Sequence, residues 1–115
     1  MYIDGKVWIG NNDQGERIGI IPKMVNRHGL VAGATGTGKT VTLKVMAETF
    51  SDMGIPVFMA DVKGDIAGMM NPGTDSEDMQ KRIEKFNLTN AGFAYNGYHV
   101  TLWDIYGVKG IQLRT

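Results

Sequence analysis

The stretch GLVAGATGTGKTVTL, residues 29–43, decides the fold expected of this chain. It opens with apolar residues typical of a buried strand, continues as a glycine-rich loop, and ends in a helical pattern. Four positions of the loop fill the pattern G-x-x-x-x-G-K-[ST]: Gly33, Gly38, Lys39 and Thr40. The stretch therefore predicts a strand–loop–helix unit whose loop wraps nucleotide phosphates.

The composition of this loop has a physical reason. Glycine at positions 33, 36 and 38 permits a positive φ and removes side chains that would block a phosphate. Main-chain amides can then converge on the anion, and the start of the helix adds its partial positive charge. Lys39 would reach the β- and γ-phosphates, and the Thr40 hydroxyl would ligate Mg²⁺. The predicted nucleotide-binding residues are Gly33, Ala34, Thr35, Gly36, Thr37, Gly38, Lys39, Thr40 and Val41.

The residues around the loop predict an α/β fold. Residues 2–9 and 17–21 alternate like strands around the turn-forming NNDQGE, which indicates an N-terminal β-hairpin. After Lys39, apolar residues recur at helical spacing as far as Gly54. The apolar run 57–60 predicts a second buried strand, so that strand, helix and strand would form a parallel βαβ unit.

The second half of the chain carries weaker signals. Residues 67–73 are typical of a short helical turn that runs into a loop. Thr74 and Glu77 match a capping box ahead of another helix. Residues 99–106 predict a further strand that ends near an aspartate.

Three aspartates are candidates for the chemistry that a phosphate cradle alone lacks. ATP hydrolysis needs an acidic residue for Mg²⁺ and a polar group that orients water. Asp61 ends the apolar run VFMA, Asp104 ends VTLW, and Asp65 lies in the loop after Asp61. An aspartate at the end of a strand also commonly starts a turn. We keep Asp61 and Asp65 as candidate catalytic residues beside Lys39.

Composition narrows the class of protein. The chain has 115 residues, which fits a single domain, and its 12 basic and 12 acidic side chains give no net charge. Overall charge thus gives no support for a nucleic-acid or membrane partner. The absence of cysteine and of any long apolar run fits a cytoplasmic protein.

Residues 26–68, NRHGLVAGATGTGKTVTLKVMAETFSDMGIPVFMADVKGDIAG, closely resemble the bacterial HerA-like ATPases, the helicase HerA-like branch of the FtsK/HerA group. The likeness extends back into IGNNDQGE and forward into VTLWDIYGVKGIQLRT, so it covers nearly the whole chain. The resemblance implies a P-loop NTPase fold of the additional-strand ATPase type, with ATP and Mg²⁺ as ligands. It also implies a hexameric ring that moves along DNA, and it places Asp61 to Asp65 beside the nucleotide.

Members of that family are several times longer than this chain. The resemblance implies that the Walker B strand, the sensor residue and the arginine finger lie beyond residue 115. We therefore expect an N-terminal segment holding a partial parallel sheet with flanking helices. Residues 1–25 would form the hairpin lead-in and residues 26–115 the nucleotide-binding core, completed by the rest of a larger polypeptide or by identical subunits.

Two other functions remain open at this point. The chain could be a nucleotide-binding or self-assembling module without catalysis of its own, pairing its exposed strands with itself or a partner. It could also be a small phosphotransferase that uses Asp61 or Asp65, although only Arg82 and Arg114 follow Phe50 to supply an arginine-rich lid.

Overall fold

In a computed structural model, residues 1–113 can be described, while Arg114 and the C-terminal Thr115 lie outside the described residues. The described residues form a small α/β structure with a three-stranded antiparallel sheet, a two-stranded parallel pair and two α-helices. They divide into two compact units. The first contains Met1–Met59 and Asp75–Ala94, and the second contains Ala60–Thr74 and the residues from Tyr95 onward.

The N-terminal hairpin is confirmed, with one short additional strand. Strands β1 (Tyr2–Ile3), β2 (Lys6–Asn11) and β3 (Arg17–Ile20) form an antiparallel sheet in that order. The Asn12 side chain closes the β2–β3 turn, because its Oδ1 accepts the Glu16 amide at 2.8 Å. The β2–β3 turn is thus held by a contact between residues four apart in the sequence.

The helix after the glycine loop is also confirmed. Helix α1 (Lys39–Asp52) packs on β2, where Val7 is fully buried. Its buried residues are Ala47 and Thr49, and the buried Thr49 hydroxyl is satisfied because it donates to the Val45 carbonyl at 2.7 Å. The Thr49 hydroxyl also accepts from the Met1 ammonium group.

Helix α1 ends as the glycine–proline signal predicts. Gly54 has a φ of 78°, and its amide donates to the Ser51 carbonyl at 2.9 Å. The Ile55 amide donates to the Phe50 carbonyl at 2.9 Å. These two bonds form the Schellman arrangement that requires a left-handed residue, which glycine adopts without strain.

The prediction of strands at 28–34 and 57–60 is wrong, because the structure has no strand in either range. Neither range has regular secondary structure, and Leu30 and Phe58 are 89% and 83% exposed. A strand exists only where a neighbour supplies hydrogen bonds, and within residues 1–113 no strand pairs with either range. The predicted parallel βαβ sheet therefore does not form.

The observed parallel pair lies in the second unit. Strand β4 (Trp103–Asp104) pairs with β5 (Ile111–Gln112), so the strand predicted at 99–106 shrinks to two residues. The predicted helical turn is present as a 3₁₀ helix at Ala67–Met70, and the Met69 carbonyl accepts the Tyr98 amide at 2.9 Å.

The predicted capping box at Thr74 is displaced by two residues. Helix α2 (Glu77–Lys85) begins after Ser76, whose side chain accepts the Met79 amide at 3.2 Å. Ser76 therefore satisfies one of the free amides of the first turn.

We predict that Ser76→Ala lowers the free energy of unfolding by about 1 kcal/mol, since it removes this cap. Thr74→Ala is the matched control and should be nearly neutral. Urea denaturation followed by circular dichroism measures both. A larger loss in Thr74→Ala would restore the capping box that the sequence suggested.

Candidate functional site: the glycine loop and the aspartate loops

The loop from Gly33 to Val41, named here the glycine loop, closes on one carbonyl group. The Ala34 carbonyl oxygen accepts the Thr37 hydroxyl and the Lys39 ammonium group, each at 2.6 Å. The Thr37 amide approaches the same oxygen at 3.4 Å. The side chains of Thr37 and Lys39 are thus both folded back onto the start of their own loop.

Two glycines in the loop are required by the backbone. Gly36 and Gly38 have φ angles of 79° and 95°, in the left-handed region that other residues adopt at a cost. A Cβ at either position would meet no atom within 4 Å, so it is the backbone conformation and not crowding that selects glycine. The prediction that glycine permits a positive φ in this loop is confirmed at these two positions.

At Gly33 an added side chain would meet a different obstacle. Its φ is not positive, but an added Cβ would lie 2.5 Å from the Thr37 hydroxyl oxygen. The other neighbours of that Cβ, Lys39 Cγ and Thr37 Cβ, would lie at 3.5 and 3.6 Å, which are ordinary contacts. The absent side chain of Gly33 makes room for a hydroxyl group of the same loop.

Helix α1 begins without a cap. The N-cap residue is Gly38, no side chain accepts a hydrogen bond there, and the first turn contains no acidic residue. The first amides of a helix have no partner within the helix, so this end carries a partial positive charge to which Lys39 adds a full one. Thr40 and Val41 are exposed. The arrangement is chemically suited to an anion, because glycine keeps the approach open.

Asp61 lies in the second unit and organises its own loop. Its Oδ1 accepts the amides of Gly64 at 2.8 Å and Asp65 at 3.2 Å, and its Oδ2 accepts the Ile66 amide at 2.9 Å. These backbone hydrogen bonds, that from Ile66 foremost, hold the pKa of the Asp61 carboxyl below its ordinary value. The structure brings Asp61 and Asp65 together in one exposed loop, and it places them in a different unit from the glycine loop.

Asp104 repeats this arrangement, which the sequence patterns did not reveal. Its Oδ1 accepts the Tyr106 amide at 2.9 Å, and its Oδ2 accepts Val108 and Lys109 at 2.8 and 3.0 Å. The bonds from Lys109 and its neighbours lower the pKa of the Asp104 carboxyl. The available signal was the shared spacing D-x-x-G, whose glycines, Gly64 and Gly107, both have a positive φ.

Neither aspartate loop contains a ready metal site. Among residues 1–113, no group of three or more His, Asp or Glu side chains is placed to hold a metal ion. Neither α-helix within residues 1–113 has the length and the apolar composition that a membrane span needs.

Comparison with known protein families decides the kinship of the chain. Residues 6–115 match the model of the family described as "Helicase HerA-like C-terminal". The chain belongs to this HerA-like family. Its description names the C-terminal part of these helicases, so the match does not support the expectation of an N-terminal segment. No curated protein and no solved structure matches the chain.

We predict that the Ile66 amide proton shift follows the titration of the Asp61 carboxyl, with a midpoint below the ordinary aspartate pKa of 3.8. Because the folded pKa is lowered, the hydrogen bonds stabilise the loop above the unfolded pKa, and this contribution disappears as pH falls through the folded pKa. A pH series of ¹H–¹⁵N spectra measures the shift. Asp61→Asn should remove the titration step, and a midpoint at or above 3.8 in the unmutated chain would contradict the assignment.

Proposed function

We propose that this chain is the ATP-binding part of a HerA-like DNA-translocating ATPase, with the phosphates held by the glycine loop. The observation that carries the proposal is the uncapped start of α1 behind a loop of left-handed glycines. A helix start left without an acidic or polar cap fits a ligand that brings its own negative charge. Kinship with the HerA-like family supports an ATPase as the protein in which this loop works.

Each residue of the loop has a role in this proposal. The phosphates would be surrounded by the main-chain amides of Ala34, Thr35, Gly36, Thr37, Gly38 and Val41. Gly33, which has no side chain, would leave room for the turn of the loop. The Lys39 ammonium group now donates to the Ala34 carbonyl at 2.6 Å. On binding it would donate to phosphate oxygens instead, without leaving the loop. The Thr40 hydroxyl would ligate Mg²⁺, whose chemistry is to neutralise charge on the β- and γ-phosphates.

The loop that Asp61 organises would contribute one carboxylate to the same reaction. Both oxygens of Asp61 are engaged by backbone amides, so this residue fits the task of shaping the loop better than direct metal ligation. The carboxyl group of Asp65, in an exposed residue of the same loop, is the better candidate for orienting a water molecule. We keep Asp65 as the candidate catalytic carboxylate on that ground.

The wider identity is part of the proposal. A P-loop NTPase fold of the additional-strand type would give residues 28–34 and 57–60 the neighbouring strands they lack here, supplied by a longer polypeptide or by identical subunits. We propose assembly into a hexamer and contact with DNA from the resemblance to HerA-like ATPases, and a cytoplasmic location from the absence of cysteine.

A second candidate is a nucleotide-binding module that assembles with copies of itself and performs no catalysis. The exposure of Leu30 and Phe58 favours it, since unpaired apolar segments tend to associate. Light scattering should then show oligomers that grow with concentration, and a monomer at every concentration would rule this candidate out. A small phosphotransferase has less support, because it would need an arginine-rich lid and only Arg82 and Arg114 follow Phe50 in the sequence.

We predict that Lys39→Ala weakens binding of Mg²⁺–ATP at least about tenfold, because a charged hydrogen bond to phosphate contributes roughly 1.5–3 kcal/mol. Isothermal titration calorimetry measures the affinity. Lys44→Ala is the matched control, since it removes the same charge from the same helix outside the glycine loop. Equal affinities in Lys39→Ala and the unmutated chain would refute the proposed phosphate site.

A further inference from the structure

The Thr37 side chain has a place in the glycine loop that the phosphate-binding pattern does not specify, since position 37 is one of its free positions. Its hydroxyl donates to the Ala34 carbonyl at 2.6 Å, and the Lys39 ammonium group donates to the same oxygen at 2.6 Å. These are the two shortest hydrogen bonds to this oxygen, which also accepts the Thr37 amide at 3.4 Å. Thr37 and Lys39 are therefore coupled through one atom.

The position of the Thr37 hydroxyl depends on the absence of a side chain at Gly33. A Cβ on residue 33 would lie 2.5 Å from Thr37 Oγ1, closer than nonbonded atoms approach, and its other contacts would be normal. An alanine at position 33 would consequently require the Thr37 hydroxyl to move off the Ala34 carbonyl, since the hydroxyl oxygen is the one atom the new Cβ would meet at less than 3.5 Å. The first glycine of the pattern thus protects a hydrogen bond inside the loop.

We propose that Thr37 is a positioning residue for Lys39. Its hydroxyl fixes the Ala34 carbonyl at the point where the ammonium group rests before a triphosphate arrives, and Gly33 keeps that hydroxyl in place. A loop ordered in advance loses less conformational freedom on binding, so the hydroxyl raises affinity without touching the ligand. The expected effect on nucleotide affinity rests on the proposed function. The contacts among Gly33, Thr37 and Lys39 do not depend on it.

The inference predicts a specific pattern of affinities for Mg²⁺–ATP. Thr37→Ala removes the hydroxyl and Gly33→Ala displaces it, so each should weaken binding about three- to tenfold, the range of one net hydrogen bond. The double variant should bind no more weakly than the weaker single variant, because both changes break the same bond. Thr37→Ser keeps the hydroxyl and should recover the affinity to within about twofold.

A second readout needs no nucleotide. The amide of Thr35 shares its peptide group with the Ala34 carbonyl, so its ¹⁵N shift responds to hydrogen bonds on that oxygen. In the ligand-free chain, Thr37→Ala, Gly33→Ala and the double variant should shift this resonance alike, whereas Thr37→Ser should leave it near its original position. The helical circular dichroism of each variant establishes that α1 is still folded.

The outcomes separate the two proposals. Effects of Gly33→Ala and Thr37→Ala that multiply in the double variant, or a Thr37→Ser variant as weak as Thr37→Ala, overturn the positioning role while nucleotide binding stands. An unmutated chain that binds no Mg²⁺–ATP removes the proposed function and with it the role of Thr37 toward a triphosphate. Common shifts of Thr35 in that case would still establish the coupling of Gly33 and Thr37 at the Ala34 carbonyl.

Discussion

The first turn of α1 lacks the partner that a helix start normally has, and the rest of the site is arranged around this deficit. Gly38 precedes the helix in a left-handed conformation and offers no side-chain acceptor, while Lys39 adds positive charge at the first helical position. A buried start of this kind would be costly, but here the loop is exposed and water can hydrate it. The Lys39 ammonium group donates to the Ala34 carbonyl at 2.6 Å, which ties the first helical residue to the start of the loop.

The parts of the structure that the sequence predicted well are those determined by neighbours in the chain. Asn12 specifies its own turn, Gly54 its own helix end, and the spacing of apolar residues after Lys39 specifies a helix. Residues 28–34 and 57–60 have equally clear strand composition, yet they form no strand because pairing depends on a distant segment. Composition predicts which residues suit a sheet and cannot supply the neighbouring strand.

The aspartates show a similar limit for chemistry. An aspartate after an apolar run is a candidate for the nucleotide site, and in the structure the carboxylates of Asp61 and Asp104 each accept three backbone amides. The spacing D-x-x-G distinguishes this role, since a left-handed glycine three residues later lets the chain fold back over the carboxylate. A carboxylate that accepts backbone amides in this way shapes its loop. Asp65 is then the remaining carboxylate of the Asp61 loop that is a candidate for the reaction.

The central claim is that the free amides at the start of α1 and in the loop before it receive a triphosphate. Titrating Mg²⁺–ATP into the ¹⁵N-labelled chain, with amide shifts recorded residue by residue, tests it most directly. The account predicts that the largest shifts cluster at the amides of residues 36–41 and saturate together. Shifts confined to other parts of the chain, or unchanged amides at 36–41 with ATP in excess, would contradict it.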